Sequence, residues 1–175
     1  MNTITRVFKH QWLDVSDTRR AVPNDMALRL AQRIAASEVR HTGEVRLCIE
    51  AALPLGDLWR IGDAAALKRV VRERAIHWFG SLGVWDTEDN NGVLIYLLLA
   101  EHAIEFVADR ALARRVDATQ WQAIVDRLGQ RLQSKQFEDG LTQALEEVSA
   151  LLVAYFPAEP GSVNPNELPD AVVRV

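Results

Sequence analysis

The most apolar run in the chain covers residues 93–99 and is separated by Gly92 alone from an acidic, amide-rich stretch, residues 86–91. The run contains no charged residue, no Gly and no Pro, which is typical of a β-strand that is covered on both faces. We therefore predict that it is the central strand of an α/β sheet and that the other elements pack around it.

Two further strands are predicted on either side of this run. Apolar and polar positions alternate over residues 44–53, which indicates a half-buried strand. Residues 103–109 follow the central strand after two intervening polar positions, so we expect an antiparallel hairpin. Ideal pairing across a two-residue connection would place Asp109 beside Leu94.

Apolar residues recur at intervals of three and four in several other stretches, which predicts amphipathic helices. The predicted helices are residues 4–13, a helix opened by Pro23, one capped by Asp63, one capped by Asp117 and a long last helix that ends near Tyr155. The polar residues 14–20 are predicted to be a connection, and residues 55–62 a loop.

The order of these elements predicts the fold class. A strand, a helix and a second strand form a right-handed parallel crossover, and the hairpin adds an antiparallel strand. We expect a three-layer α/β/α sandwich with a small mixed sheet and helices on both faces. The predicted organisation is an N-terminal helical segment (1–20), the α/β/α domain (21–157) and a Pro-rich extended tail (158–175), of which residues 171–173 are candidates to dock as an edge segment.

Composition narrows the functional classes. With 175 residues, 49% of them hydrophobic and 25% charged, the chain has the size of one globular domain. A net charge of -4 with scattered basic residues argues against nucleic acid as a partner. No signal-peptide core or bilayer-length apolar stretch occurs, so we expect a cytoplasmic protein without direct membrane insertion, with Phe8 and Trp12 packed on the domain. The single Cys48 excludes an intrachain disulfide and is expected to be a buried thiol.

Candidate chemistry accumulates where the parallel strands begin and the antiparallel strand ends, because this topology brings those three points to one end of the sheet. Carboxylate and amide oxygens without thiolates suit Ca²⁺ or Mg²⁺. The candidate metal ligands are Asp86, Glu88, Asp89, Asn90, Asn91 and Asp109, and the candidates for an outer supporting layer are Glu38, Glu44 and Arg110.

A plainer interpretation of the same loop stays open. Residues 86–92 would then be a solvated turn in which Asn91-Gly92 adopts positive φ and the acids bind no ion. An EF-hand starting at Asp86 is excluded, since it needs Gly at position 91 and Glu at position 97. No Walker loop, Gly-x-Ser-x-Gly elbow or Cys-Arg phosphate cradle occurs, so no covalent nucleophile can be named.

Three motifs are more specific together than alone: Glu38-x-x-His41-x-Gly43-Glu44-Val45 at the first strand, Asp89-Asn90-Asn91-Gly92-Val93-Leu94-Ile95 at the central strand, and Phe137-x-x-Gly140-Leu141 at the last helix. Together they resemble the TPM domain, a family named from thylakoid, phosphatase and membrane associations and widespread in bacteria. The resemblance covers residues 14–156. It implies an α/β/α sandwich whose acidic loops bind a divalent metal, calcium in particular.

The resemblance implies two alternative functions. A plant lumenal member is regarded as an acid phosphatase, which implies a metal-dependent phosphoester hydrolase with the ion held by the acidic loop and Arg110 neutralising developing charge. Most members have a signal peptide and a membrane helix. This chain resembles the short soluble branch, also through residues 166–170, whose members often accompany LemA-type membrane-associated proteins.

We favour the second function, a non-enzymatic accessory module with a LemA-type partner. The Gly-rich segment that many members carry after the third strand is replaced here by residues 109–112, which contain no Gly. Metal ligands can be named in this sequence, whereas a nucleophile or a general base cannot.

Overall fold

The computed structural model of the chain describes residues 3–159 and 166–175. Along the chain its elements are α1 (Thr3–Trp12), α2 (Val15–Ala21), α3 (Asn24–Glu38), β1 (Val45–Glu50), α4 (Leu55–Leu58), α5 (Ala64–Ser81), β2 (Val93–Leu98), β3 (Ala103–Ala108), α6 (Arg110–Ala113), α7 (Ala118–Gln133), α8 (Phe137–Tyr155) and β4 (Val173–Arg174).

The sheet has the strand order β3-β2-β1-β4, with β2 in the interior as predicted. β1 runs parallel to β2, and β3 runs antiparallel to β2. The predicted α/β sandwich with a mixed sheet is therefore confirmed. Since the starts of β1 and β2 and the end of β3 lie at one end of the sheet, the polar loops meet there. We call this end the loop end.

The predicted position of Asp109 was wrong by two residues along β2. Val93 pairs with Ala108, and the N–H of Asp109 donates to the carbonyl of Gly92 over 2.8 Å. The reason is the hairpin connection, which includes residues 99–102 and has His102 at φ 50° instead of the two-residue turn we expected. Asp109 consequently lies at the edge of the acidic loop.

Both faces of β2 are covered by helices, which explains its uninterrupted apolar sequence. Ile95 and Leu97 belong to a core formed with α3, α7 and α8, and Leu94 and Leu98 belong to a second core formed mainly with α5. Each fully buried aliphatic side chain contributes about 1.5–3 kcal/mol to the free energy of unfolding. β2 is therefore the rigid support from which the acidic loop extends.

Helix α2 was missed because residues 14–20 carry no apolar stripe. Its signal is a capping box: the Asp14 carboxylate accepts from the first turn, and the Asp17 carboxylate accepts from the N–H of Asp14 over 2.9 Å. Helix α4 lies within residues predicted as a loop, and β1 is shorter than residues 44–53. At the C-terminal end, β4 pairs in parallel with β1 through Val173 and Arg174, so the predicted edge docking is confirmed with a shift along the tail.

The predicted packing of the N-terminal helix was wrong. Phe8 and Trp12 are 58% and 84% exposed, whereas Arg6 and His10 of the same helix are buried. The reason is the carboxylate of Glu101, which accepts from Arg6 Nε over 3.0 Å and lies 2.9 Å from His10 Nε2. No helix in the described ranges has the length and hydrophobicity needed to cross a membrane.

Candidate metal centre

The acidic loop before β2 is folded tightly onto itself. A Cβ at Gly92 would lie 2.0 Å from the carbonyl oxygen of Val84, so only glycine allows this close approach. The N–H of Asn91 donates to Thr87 Oγ1 over 3.1 Å. Positive φ occurs at Asn90 (52°), not at the Asn91-Gly92 pair considered for a solvated turn. The loop is therefore an ordered scaffold.

Three side chains of the loop end form a hydrogen-bonded chain. Thr42, from the connection before β1, donates its hydroxyl to Asp89 Oδ2 over 2.7 Å. The same hydroxyl accepts from Asn91 Nδ2 over 3.0 Å. This orientation fixes the Asn91 amide and turns its oxygen away from Thr42.

Two oxygen atoms beside this chain are buried and lack hydrogen-bond partners: Asn91 Oδ1 and Asp109 Oδ2. Asn91 is fully buried, and Asp109 is 6% exposed. The ladder between Asp109 N and Gly92 O keeps the two residues in neighbouring backbone positions. The other carboxylate oxygen of Asp109 accepts from Arg110 N over 2.6 Å at the start of α6. We refer to Thr42, Asp89, Asn91 and Asp109 as the oxygen cluster.

Of the six predicted ligands, Asp89 and Asn91 are joined through Thr42, which we had not named, and Asp109 is held beside this loop by its backbone hydrogen bond to Gly92. Asp86, Glu88 and Asn90 lie on the same loop and, like Asp89, are exposed. Within residues 3–159 and 166–175, no group of three or more His, Cys, Asp or Glu side chains is arranged to hold a metal.

Glu38 and Glu44, which we predicted to support the loop, lie at the C-terminal segment, and this segment contacts the loop where Glu88 N donates to Glu167 Oε2 over 3.2 Å. The Glu44 carboxylate accepts from the N–H groups of Glu167 and Leu168 over 3.2 and 3.3 Å. Glu38 accepts from Val45 N over 3.0 Å. Burial raises the pKa of Glu38 to about 9, with the carboxylates of Glu44 and Asp170 adding to the shift. Arg110 is 81% exposed, and its Nε atom lies 3.9 Å from Asp109 Oδ1.

Arg46, the second residue of β1, is also buried at the loop end, and the sequence analysis did not name it. The side chain is 5% exposed, and its Nε and Nη1 atoms have no hydrogen-bond partner. Burial lowers the pKa of the guanidinium, while the negative charge of Asp170 acts in the opposite direction. The available signal was an arginine on the inward side of an alternating strand.

His41 adds no charge to the loop end. It is fully buried, its Nδ1 atom lies 2.9 Å from the carbonyl of Gly43, and burial lowers its pKa to about 4. The imidazole is therefore neutral at physiological pH. Because a carbonyl can only accept, Nδ1 carries the proton.

The other large polar cluster, away from the loop end, is saturated. The buried carboxylate of Glu50 accepts from Arg74, from Trp78 Nε1 over 2.9 Å and from the hydroxyl of Tyr96 over 2.6 Å. Such a fully paired carboxylate connects β1, β2 and α5, so its role is structural.

Comparisons with known proteins agree with this architecture. The model of the TPM domain family matches residues 15–151. A solved structure similar to this chain is the NMR structure of BA42 protein from the psychrophilic bacterium Bizionia argentinensis, with a TM-score of 0.71, 22% sequence identity, and coverage of 87% of this chain and 94% of that one. Identity at this level demonstrates a shared fold alone. A search of curated proteins found no match. The family model covers most of the chain, and the chain therefore belongs to the TPM domain family.

Proposed function

We propose that this TPM domain is a non-enzymatic accessory module that binds Ca²⁺ or Mg²⁺ at the oxygen cluster. The observation that carries the proposal is the pair of buried oxygens without partners, Asn91 Oδ1 and Asp109 Oδ2. Leaving a buried acceptor unpaired costs about 1–3 kcal/mol, which a bound cation would offset.

The chemistry of the cluster suits a hard cation. Asp89 and Asp109 provide carboxylates and Asn91 provides an amide oxygen, while water can complete the coordination shell. Thr42 would orient the Asp89 and Asn91 side chains through its hydrogen bonds instead of binding the ion. The exposed carboxylates of Asp86 and Glu88 increase the negative potential around the loop and attract cations to it. The Thr42 hydroxyl is the one hydroxyl of the cluster, and its proton is already donated to Asp89. It is therefore not available as a nucleophile, and the proposed ion would order the loop instead of activating this group.

Thermal unfolding and calorimetric titration test the proposal. An ion at a hundredfold excess over its Kd stabilises the folded state by about 2.7 kcal/mol, which raises the Tm of a chain of this size by about 5–10 °C. We expect this shift in calcium or magnesium relative to chelator. Asp109→Asn and Asp89→Ala should each abolish the shift.

The matched control is Asp86→Asn, which removes one exposed charge from the same loop and should retain most of the shift. Equal melting temperatures in calcium, magnesium and chelator, together with no heat of binding, would reject the cation site. Loss of the shift in Asp86→Asn to the same extent as in Asp109→Asn would show diffuse charge attraction instead of ligation.

An aryl phosphate assay on the same samples separates the accessory module from a hydrolase. We expect no turnover with either cation. Metal-dependent turnover that disappears in Asp89→Ala would replace the accessory function by phosphoester hydrolysis. The partner that follows from the family resemblance, a LemA-type membrane-associated protein, is tested by co-purification with wild type and with Asp109→Asn.

A further inference from the structure

Strand β3 forms one edge of the sheet, and part of its backbone is available for pairing. Asp109, directly after β3, donates its N–H to the carbonyl of Gly92, directly before β2, so the β3 residues at alternating positions from Asp109 point their N–H and C=O groups away from β2. These residues are Ile104, Phe106 and Ala108. The contact from Arg72 Nη1 to the carbonyl of Phe106, 2.6 Å long, confirms that this carbonyl points outward.

A groove of about 620 Å³ lies along this edge, between α5 and α7. Its floor includes residues 101–106 of the hairpin and β3. Its walls are mainly apolar: Leu67 and Val71 come from α5, and Trp121 and Val125 come from α7. The groove therefore combines a row of backbone hydrogen-bonding groups with apolar side walls, which is the arrangement that binds an added β-strand.

The charged side chains of the groove indicate the charge that an incoming strand should carry. Arg72 is paired with Glu105 over 3.1 Å, and Glu101 is paired with Arg6. Lys68 lines the groove, is exposed and makes no ion pair within the described part of the chain. An incoming strand with a carboxylate beside Lys68 would complete the charge pairing.

We propose that this groove binds an extended, alternately apolar and acidic segment of a partner protein, which adds to the sheet beside β3. On binding, Arg72 would release the Phe106 carbonyl and contact solvent or a side chain of the ligand. A backbone N–H of the added strand would then donate to the Phe106 carbonyl. This surface is independent of the oxygen cluster at the loop end.

The probe is the palindromic peptide acetyl-SVEVTVEVS-amide, which presents the same side chains in both strand directions. It is titrated to millimolar concentration into the full chain labelled with ¹⁵N. We expect saturable shifts of the amide resonances of Ile104 and Phe106 and of the groove walls. No saturable shifts, or shifts centred on the opposite edge of the sheet at β4, would overturn the proposal.

Backbone methylation tests the strand pairing. One peptide is N-methylated on the two valines that flank the threonine, and a second on the two glutamates. Because the N–H groups of a strand alternate between its two edges, one of these peptides should lose at least about tenfold in affinity while the other binds nearly as the parent does. Equal loss for both peptides would show that the groove recognises side chains only.

A charge exchange tests Lys68. Lys68→Glu should weaken the parent peptide about two- to fivefold, and the peptide in which both glutamates are replaced by lysines should restore affinity. The matched control is Lys135→Glu, an exposed lysine outside the groove, which should leave both affinities unchanged. Failure of the lysine peptide to recover affinity would contradict the assigned contact.

Discussion

Replacing Glu38 by Gln should make this protein more stable at neutral pH. Glu38 is 6% exposed and close to two further carboxylates, Glu44 and Asp170. Its pKa of about 9 in the folded protein lies far above its ordinary value of 4.5. The folded state therefore retains a proton that the unfolded state has released at neutral pH.

The sign of the pH dependence follows from this difference. Below pH 4.5 both states hold the proton, and the contribution of Glu38 is fully present. Between pH 4.5 and 9 the folded state binds one more proton than the unfolded state, so the free energy of unfolding falls by about 1.4 kcal/mol per pH unit. At pH 7.5 this amounts to at most about 4 kcal/mol. Above pH 9 the loss is complete.

Glu38→Gln removes the titration and retains the oxygen that accepts from Val45 N. Urea unfolding, followed by tryptophan fluorescence between pH 5 and 8, should show the variant gaining on wild type as pH rises. The control is Glu146→Gln, an exposed residue of α8, which should follow wild type. If Glu38→Gln and wild type lost stability in parallel over this range, the protonated state assigned to Glu38 would be wrong.

Two further predictions concern the N-terminal helix and the acidic loop. His10 accepts from Leu53 N through Nδ1 over 2.9 Å, and the charged residues around it are Glu101, Arg6 and Lys9. Burial lowers the pKa of His10 below 6.5, so the free energy of unfolding should fall as the pH drops below 6.5. Exchange of the Leu53 amide should accelerate before global unfolding, and the His10→Gln variant should lose this pH dependence. Gly92→Ala should destabilise the protein by about 3 kcal/mol in chemical denaturation, because its Cβ would meet the Val84 carbonyl. Gly80→Ala, in α5 with open space around it, should stabilise the protein by about 0.5–1 kcal/mol in the same assay. A Gly92→Ala variant as stable as wild type would show that the loop can open without cost.

The predictable part of the fold is the part determined by periodicity. β2 and β3 were predicted within one residue, since the apolar run and its hairpin partner leave few alternatives, and the caps at Asp63 and Asp117 marked two helices correctly. Helix α2 depends on a capping box and not on an apolar stripe, so the pattern of hydrophobic residues could not reveal it.

The packing of α1 failed for a different reason. An amphipathic pattern identifies two faces, and we assigned the apolar face to the core. In the structure the buried carboxylate of Glu101 contacts Arg6 and His10, so this face of the helix packs on the domain instead. Leaving a buried carboxylate without partners costs more free energy than exposing the Phe8 side chain. Glu101 lies 91 residues from His10 in sequence, and no local signal connects them.

The candidate site was predictable in its location but not in its composition. Strand directions alone indicated that the acidic loop, Asp109 and the entry to β1 would meet. The contribution of Thr42 depends on side-chain hydrogen bonds across 47 and 49 residues, to Asp89 and Asn91. The contacts of Glu44 with Glu167 and Leu168 depend on the course of the C-terminal segment, which its Pro-rich composition did not determine.

In this domain, a candidate binding site differs from a structural cluster in whether its buried polar atoms have hydrogen-bond partners. Glu50 lies between two strands and a helix, and every one of its hydrogen bonds is made within the protein, so a ligand has nothing to add. In the oxygen cluster, the buried atoms Asn91 Oδ1 and Asp109 Oδ2 lack partners although the surrounding loop is ordered by Gly92 and Thr87. Leaving these two acceptors unpaired lowers the free energy of unfolding, and the cation proposed above would offset that cost without rearranging the ordered loop.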